Sequence, residues 1–299
     1  MKPGPFRYLA PESLQDATAM LRAHADAKVL AGGQSLIPVL SMRLARPTHL
    51  VDLGAIPGLD RVEVTDAYVR VGALVRHARL LADESAHAAL PLLRQALLNV
   101  AHPAVRNRGT TVGSIAHADA AGEMPSVLAI TDGILEAVSP DGRREIAAAD
   151  FFTGAMETTL AHDEIVEAVR FGRFPAGTRT AFLESARRRG DYALAGVAVA
   201  VTLGDHGRIT AARASFVSVT DVPGVLDLSA VLAGTDPADA DWSVIDETVH
   251  AHLQPESDIH ASADYRRMLA VELTRRALAQ AVEQAGAEPP TAPATGAHR

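Results

Sequence analysis

Two short stretches of this chain combine residue types that suit phosphate chemistry. Residues 31–38 read Ala31-Gly32-Gly33-Gln34-Ser35-Leu36-Ile37-Pro38, and residues 109–119 read Gly109-Thr110-Thr111-Val112-Gly113-Ser114-Ile115-Ala116-His117-Ala118-Asp119. Both read as small-residue loops. Each offers successive backbone N–H groups with little side-chain bulk in the way, and each adds hydroxyls at Ser35, Thr110, Thr111 and Ser114. A pyrophosphate asks for such a set, because its oxygens need many short donors and a close backbone approach. Either stretch also reads as a plain turn. Neither is a P-loop or a dinucleotide fingerprint: no Gly-Lys-Ser/Thr follows the first, and Gly-x-Gly-x-x-Gly is missing.

Other reactive side chains are thinly spread. His117, Asp119 and Glu123 lead out of the second stretch, as a solvated loop or as acceptors for ribose or ribityl hydroxyls. A metal centre there is not supported, because no second His or Cys stands at ligand spacing. Glu184-Ser185-Ala186-Arg187-Arg188-Arg189-Gly190-Asp191-Tyr192 is either an exposed basic face or a contact for an anionic ligand or partner. No nucleophile–base set is recognisable.

The elements that must hold the two stretches follow from periodicity. An amphipathic helix is expected over 11–26, a buried strand at Lys28–Ala31, a helix at Leu36–Leu44 and a strand at His49–Leu53, so the first glycine loop joins a strand to a helix. Val62–Val64 and Tyr68–Gly72 alternate as a hairpin. His77–Leu98 reads as a helix in two pieces, with Pro91 near the start of the second. Residues 127–130 lead into a hairpin that turns at Pro140-Asp141-Gly142, and Ile165–Phe171 is a strand. Strands are expected at Ala195–Leu203 and Ala211–Thr220, and helices over 226–233, 243–253 and 264–285. The tail 286–299 has no burial pattern and reads as disordered.

Composition narrows the function classes. With 299 residues and 48% hydrophobic content, the chain can build two or three cores. A net charge of −8 without a basic stripe argues against nucleic-acid binding. The absence of cysteine excludes disulfides and thiolate-held zinc or iron–sulfur centres within this chain. No apolar run approaches the roughly 20 residues of a membrane span, and Met1–Phe6 lacks an apolar signal region, so a cytoplasmic protein is expected.

The two stretches, their order and the Arg-Arg-Arg-Gly-Asp-Tyr run resemble the FAD-binding medium subunit of molybdenum hydroxylases, the family of aerobic carbon-monoxide dehydrogenase and bacterial xanthine, nicotine and aldehyde dehydrogenases. The resemblance runs from about Phe6 to about residue 285. Its most specific pieces are Ala31–Pro38, Val105-Arg106-Asn107-Arg108-Gly109-Thr110 and Ser114–Asp119.

The resemblance implies an α+β fold: a two-subdomain FAD-binding domain of the vanillyl-alcohol-oxidase-like (PCMH) type at 1–55 and 56–176, then a C-terminal α+β domain at 177–285 with a short antiparallel sheet and helices. It implies that Ala31, Gly32, Gly33, Gln34, Ser35 and Leu36 hold one side of the FAD pyrophosphate, and Thr110, Thr111, Val112, Gly113 and Ser114 the other. It puts an acidic FAD contact at Glu123 and an apolar one at Val166. It also implies partners, a small subunit with two 2Fe–2S clusters and a large molybdopterin subunit, assembled as a dimer of heterotrimers. Electrons would pass from the clusters through FAD to an external acceptor. Two positions depart from the family pattern: Val112 stands where a glycine is usual, which would reshape a loop needing positive φ, and Glu184 stands where a lysine near the flavin is common. A stand-alone FAD-dependent oxidase or reductase, and a non-catalytic anion-binding module, are the alternative readings.

Overall fold

The computed structural model describes residues 2–283; the expected tail, and the last two residues of the expected C-terminal helix, lie outside them. The chain begins with a small parallel sheet of β1 (Arg7–Leu9), β2 (Lys28–Leu30) and β3 (His49–Asp52), in the order β1-β3-β2. Two helices, α1 (Leu14–Ala23) and α2 (Leu36–Ser41), make the crossovers. Ser13 starts α1, its hydroxyl accepting from the Asp16 amide at 3.0 Å. That cap explains why the helix begins inside the expected span.

A five-stranded antiparallel sheet follows, with β4 (Val62–Val64), β5 (Tyr68–Gly72), β6 (Ile134–Ser139), β7 (Gly142–Ala147) and, after the two-stranded ribbon β8 (Phe152–Gly154) and β9 (Glu157–Thr158), β10 (Ile165–Gly172). Its order is β4-β5-β10-β6-β7. Between β5 and β6 the chain forms α3 (His77–Ala82), α4 (Glu84–Ala89), α5 (Pro91–Leu97), α6 (Pro103–Arg106), α7 (Thr111–His117) and α8 (Glu123–Ile130), and α9 (Ala148–Phe151) follows β7. The span 77–98 is thus three helices, not two, because Asp83 and Leu90 leave helical geometry and Asp83 caps the middle piece. Residues 127–130 are the end of α8 and not a lead-in to the hairpin. Every residue from Met124 to Ile130 is buried, so α8 has no polar face for periodicity to reveal.

The C-terminal part is an antiparallel sheet in the order β11 (Thr178–Ser185), β12 (Ala195–Leu203), β13 (Ile209–Val217), β14 (Val225–Asp227), with α10 (Ser229–Leu232), α11 (Asp246–His252) and the 21-residue α12 (Ala263–Glu283). β12 coincides with the expected strand, whereas the expected helix over 226–233 opens as β14, which pairs with β13. The core under α12 is made of Val197, Val199, Ala214, Phe216, Leu273 and their neighbours. A larger core unites the first two sheets and continues into Phe182, Ala198, Ala200 and Val217 of the third. Helix α8 is the element that joins them: it packs on α5, α7 and β10 and also on β12 and β13.

Phe151 is fully buried in the larger core and meets Phe152 edge-on at 4.9 Å between ring centroids. Phe151→Ala is expected to cost about 3–5 kcal/mol of stability, because so large a side chain leaves a cavity that a close-packed interior fills only in part. Denaturant unfolding measures it, and a loss under about 1 kcal/mol would contradict this packing.

Candidate functional site

The first stretch lies where expected, between β2 and α2. Gly33 has φ +71°, a conformation open to glycine, and a Cβ there would also press on Leu30 and Ile37 at 3.1 and 3.2 Å. Ser35 is the residue before α2, and Leu36 is its first. Among the described residues, the backbone N–H groups of Gly32, Gly33, Gln34, Ser35 and Leu36 donate to no protein acceptor, and the Ser35 hydroxyl makes no capping bond. Five successive amides are therefore free for an external acceptor.

The second stretch differs from the expected loop. Thr110 has extended geometry, its hydroxyl accepts from the Gly113 amide at 3.2 Å, and the chain is helical from Thr111 to His117. Val112 is consequently an ordinary buried residue of α7 without positive φ, so its β-carbon imposes no strain there. Gly113 and Ser114 also belong to the helix. The amides of Thr110 and Val112 bond to no protein acceptor among the described residues.

The two stretches meet. A Cβ on Gly32 would stand 2.6 Å from the Arg108 carbonyl oxygen, 2.8 Å from Gly109 Cα and 2.9 Å from the Thr110 nitrogen. Only a residue without a side chain allows this backbone-to-backbone approach. On the other side, a Cβ on Gly113 would stand 4.0 Å from that of Ala31. Free donors thus lie on both segments that meet at this seam. Such donors suit the diphosphate of an extended dinucleotide.

An acidic wall lies farther along. Glu123 is the first residue of α8, and burial pushes its carboxyl up to about 8, with repulsion from Glu184 and Asp119 added and Arg106 opposing. Glu184, near the end of β11, faces Gly196 across the β11–β12 ladder, and a Cβ on that glycine would stand 3.2 Å from its own. Its Oε2 is buried without a partner, and burial raises the carboxyl to about 7. Desolvation, then the charges of Asp119 and Glu123, raise the Tyr192 phenol above the usual tyrosine value. Two carboxyls, one on helix α8 and one on strand β11, therefore hold protons near neutrality. Asp119 and Tyr192 also line a cavity of about 810 Å³, with His102, Arg187, Arg188 and Ser218. Its size suits a small-molecule ring system.

Val166 stands on the strand against which α7 packs. It is 5% exposed on β10, within the larger core and beside a register shift in the pairing with β6. His117 ends α7 and joins no cluster of metal ligands; among the described residues no such cluster exists. Arg187, Arg188 and Arg189 are exposed. Tyr192 ends the Glu184–Tyr192 run that the sequence marks; His77, which sequence reasoning did not place at the site, carries no motif that marks it.

Comparison with known proteins gives the context. Residues 4–173 match the model of the FAD binding domain in molybdopterin dehydrogenase, and residues 180–281 that of the CO dehydrogenase flavoprotein C-terminal domain. The nicotine 6-hydroxylase medium subunit of Paenarthrobacter nicotinovorans is 43% identical over 94% of this chain and 99% of its own length. The carbon monoxide dehydrogenase medium chain of Afipia carboxidovorans is 34% identical over 95% and 99%. Among solved structures, quinoline 2-oxidoreductase from Pseudomonas putida 86 superimposes with a TM-score of 0.88 at 37% identity, covering 95% of this chain and 99% of the other. Carbon monoxide dehydrogenase from Hydrogenophaga pseudoflava gives 0.89 at 33%, with the same coverage. With its α+β fold, its paired glycine seam and matches that span nearly its whole length, this chain belongs to the FAD-binding medium subunits of the molybdenum hydroxylases, the flavoprotein subunits of oxidoreductases of the carbon-monoxide and xanthine dehydrogenase type.

Proposed function

We propose that this subunit carries electrons from the 2Fe–2S clusters of a small partner subunit, by way of FAD, to an external acceptor, while a large molybdopterin subunit oxidises the substrate. Residues 1–55, 56–176 and 177–285 are the working units of this reading, and a dimer of heterotrimers is its assembly. The observation that carries it is the contact at Gly32, which joins the free amides of 32–36 to those of Thr110 and Val112. FAD, when bound, supplies a centre able to pass electrons singly or in pairs. The protein's part is binding, orientation and electrostatics. The amides of Gly32–Leu36 and, within the Thr110–Ser114 segment, those of Thr110 and Val112 would hold the diphosphate, with Ser35 and Ser114 hydroxyls adding donors. Glu123, protonated at neutral pH, offers both a donor and an acceptor to hydroxyls of the cofactor. Val166 contributes an apolar wall behind the site. No side chain is assigned as a general acid or base, and among the described residues no helix is long and apolar enough to cross a membrane.

The test is a cofactor and subunit inventory of the native complex. We expect FAD in this subunit, with iron–sulfur and molybdopterin chains co-purifying; a complex replete in the other cofactors but without visible flavin bands would sink the reading, and turnover by the chain alone would favour a stand-alone oxidase or reductase.

Gly32→Ala puts a methyl group against the Arg108–Thr110 backbone. The seam must open by several tenths of an ångström, and FAD affinity is expected to fall about tenfold or more, a loss of about 1.4 kcal/mol or more. Fluorescence titration of the FAD-free chain measures it, and unchanged affinity would remove the seam from the binding site.

The acidic wall predicts a pH dependence. A glutamate ionises near 4.5 when unfolded, but Glu184 holds its proton up to about 7 in the fold. Between those values the folded state binds more protons, so stability falls as pH rises from 4.5 to 7 and levels off above. Glu184→Gln removes that fall. In the FAD-free chain the variant is expected to match wild type at pH 4.5 and to exceed it by roughly 1–2 kcal/mol at pH 8, the shift discounted for partial exposure. Thermal melts across this range decide it: equal profiles would show that Glu184 is ionised in the fold.

A further inference from the structure

The segment Val75–His77, which leads into α3, lies against the second stretch and holds Arg108, Gly109 and Thr111. The Arg76 guanidinium donates to the Arg108 carbonyl. The His77 amide donates to the Gly109 carbonyl at 3.0 Å, and the Thr111 amide to the Val75 carbonyl at 3.2 Å, which makes an isolated β-bridge between Arg76 and Thr110. The His77 ring, 4% exposed, adds the side-chain contacts: Nδ1 lies 3.2 Å from the Thr111 hydroxyl, and the ring edge lies so close to Gly109 that a Cβ there would meet Cδ2 at 3.0 Å. Gly109 and Thr110 are in turn the residues against which Gly32 packs. A continuous line of contact therefore runs from His77 through Gly109 and Thr111 to the seam.

We propose that His77 is a positioning residue for the cofactor, which holds the Gly109–Thr111 backbone at the spacing that lets it close on Gly32; the proposal rests on the FAD reading of that seam. The ring touches no free donor of the seam and is not catalytic. Its role is to satisfy the Thr111 hydroxyl in the interior and to fill the space that Gly109 leaves. Burial, with Arg106 nearby, lowers the imidazole to about 4, so the prop is neutral throughout the physiological range. An ionisable side chain here gives geometry without adding charge behind a diphosphate site.

The full-length chain, stripped of FAD and titrated with it, tests the proposal. His77→Phe keeps the ring volume and loses the nitrogen; His77→Asn keeps a polar group near the Nδ1 position. Loss of one buried hydrogen bond corresponds to about a tenfold change. We expect His77→Phe to weaken FAD binding about tenfold or more, His77→Asn to recover most of that loss, and Thr111→Val added to His77→Phe to weaken binding no further. Melting of the FAD-free variants is recorded alongside. FAD binding by His77→Phe equal to wild type would overturn the proposal. So would equal losses in Phe and Asn variants that track their melting temperatures, since a purely structural role predicts those. A wild-type chain that takes up no FAD would instead overturn the reading of the seam itself.

Discussion

A glycine with nothing on its α-carbon sets the distance between two segments more than seventy residues apart. Gly32 packs its Cα against the peptide between Arg108 and Thr110, and on each side the chain presents N–H groups that no protein acceptor uses. Unpaired amides are costly in an interior. They are tolerable where water or a ligand replaces the missing acceptors. The rest of the first two sheets can be understood as the frame of this seam. β2 delivers one segment, the α3 turn and α6 deliver the other, and the core beneath keeps both from sliding.

How much of this was legible depended on whether the signal was local. The hairpin Val62–Val64 with Tyr68–Gly72 and the strand Ala195–Leu203 were readable from alternation and small apolar runs, and both stand as expected. The glycine and hydroxyl content of the two stretches was readable too. The shape of the second was not. Threonines, a valine and a glycine are poor helix formers, so 110–114 reads as loop. The Thr110 cap and burial of Thr111, Val112 and Ile115 against the sheet overrule propensity. β11 escaped notice because Thr178–Ser185 mixes polar and apolar residues and runs into three arginines, and its identity comes from full pairing with β12. The contact at Gly32 and the prop at His77 are tertiary facts. A lone histidine at the start of a helix announces neither.

The acidic wall shows how one environment can hold carboxyls neutral. Glu123 comes from helix α8 and Glu184 from strand β11, and the arginine closest in effect at Glu123, Arg106, spends its guanidinium on the carbonyls of Val100 and Ala101. Burial leaves protonation as the cheaper state for both, and repulsion from Glu184 adds to it at Glu123. A lysine at the Glu184 position would put positive charge beside Glu123. Here the same place alternates between neutral and negative, which gives the region the opposite electrostatic sign.

Helix α8 carries one more consequence. It has no solvent face: one side completes the larger core, and the other lies on β12 and β13. The Ala120 carbonyl just before it accepts the Ser218 amide at 2.8 Å, and Arg213 pairs with Asp132 just after it. The sequence divides into two regions by family match, but the solid does not divide there. A chain cut between β10 and β11 would bare a strip of Met, Val, Leu and Ile side chains to water. A recombination event that swapped one region for a distant relative's would therefore have to carry a matching α8 surface with it.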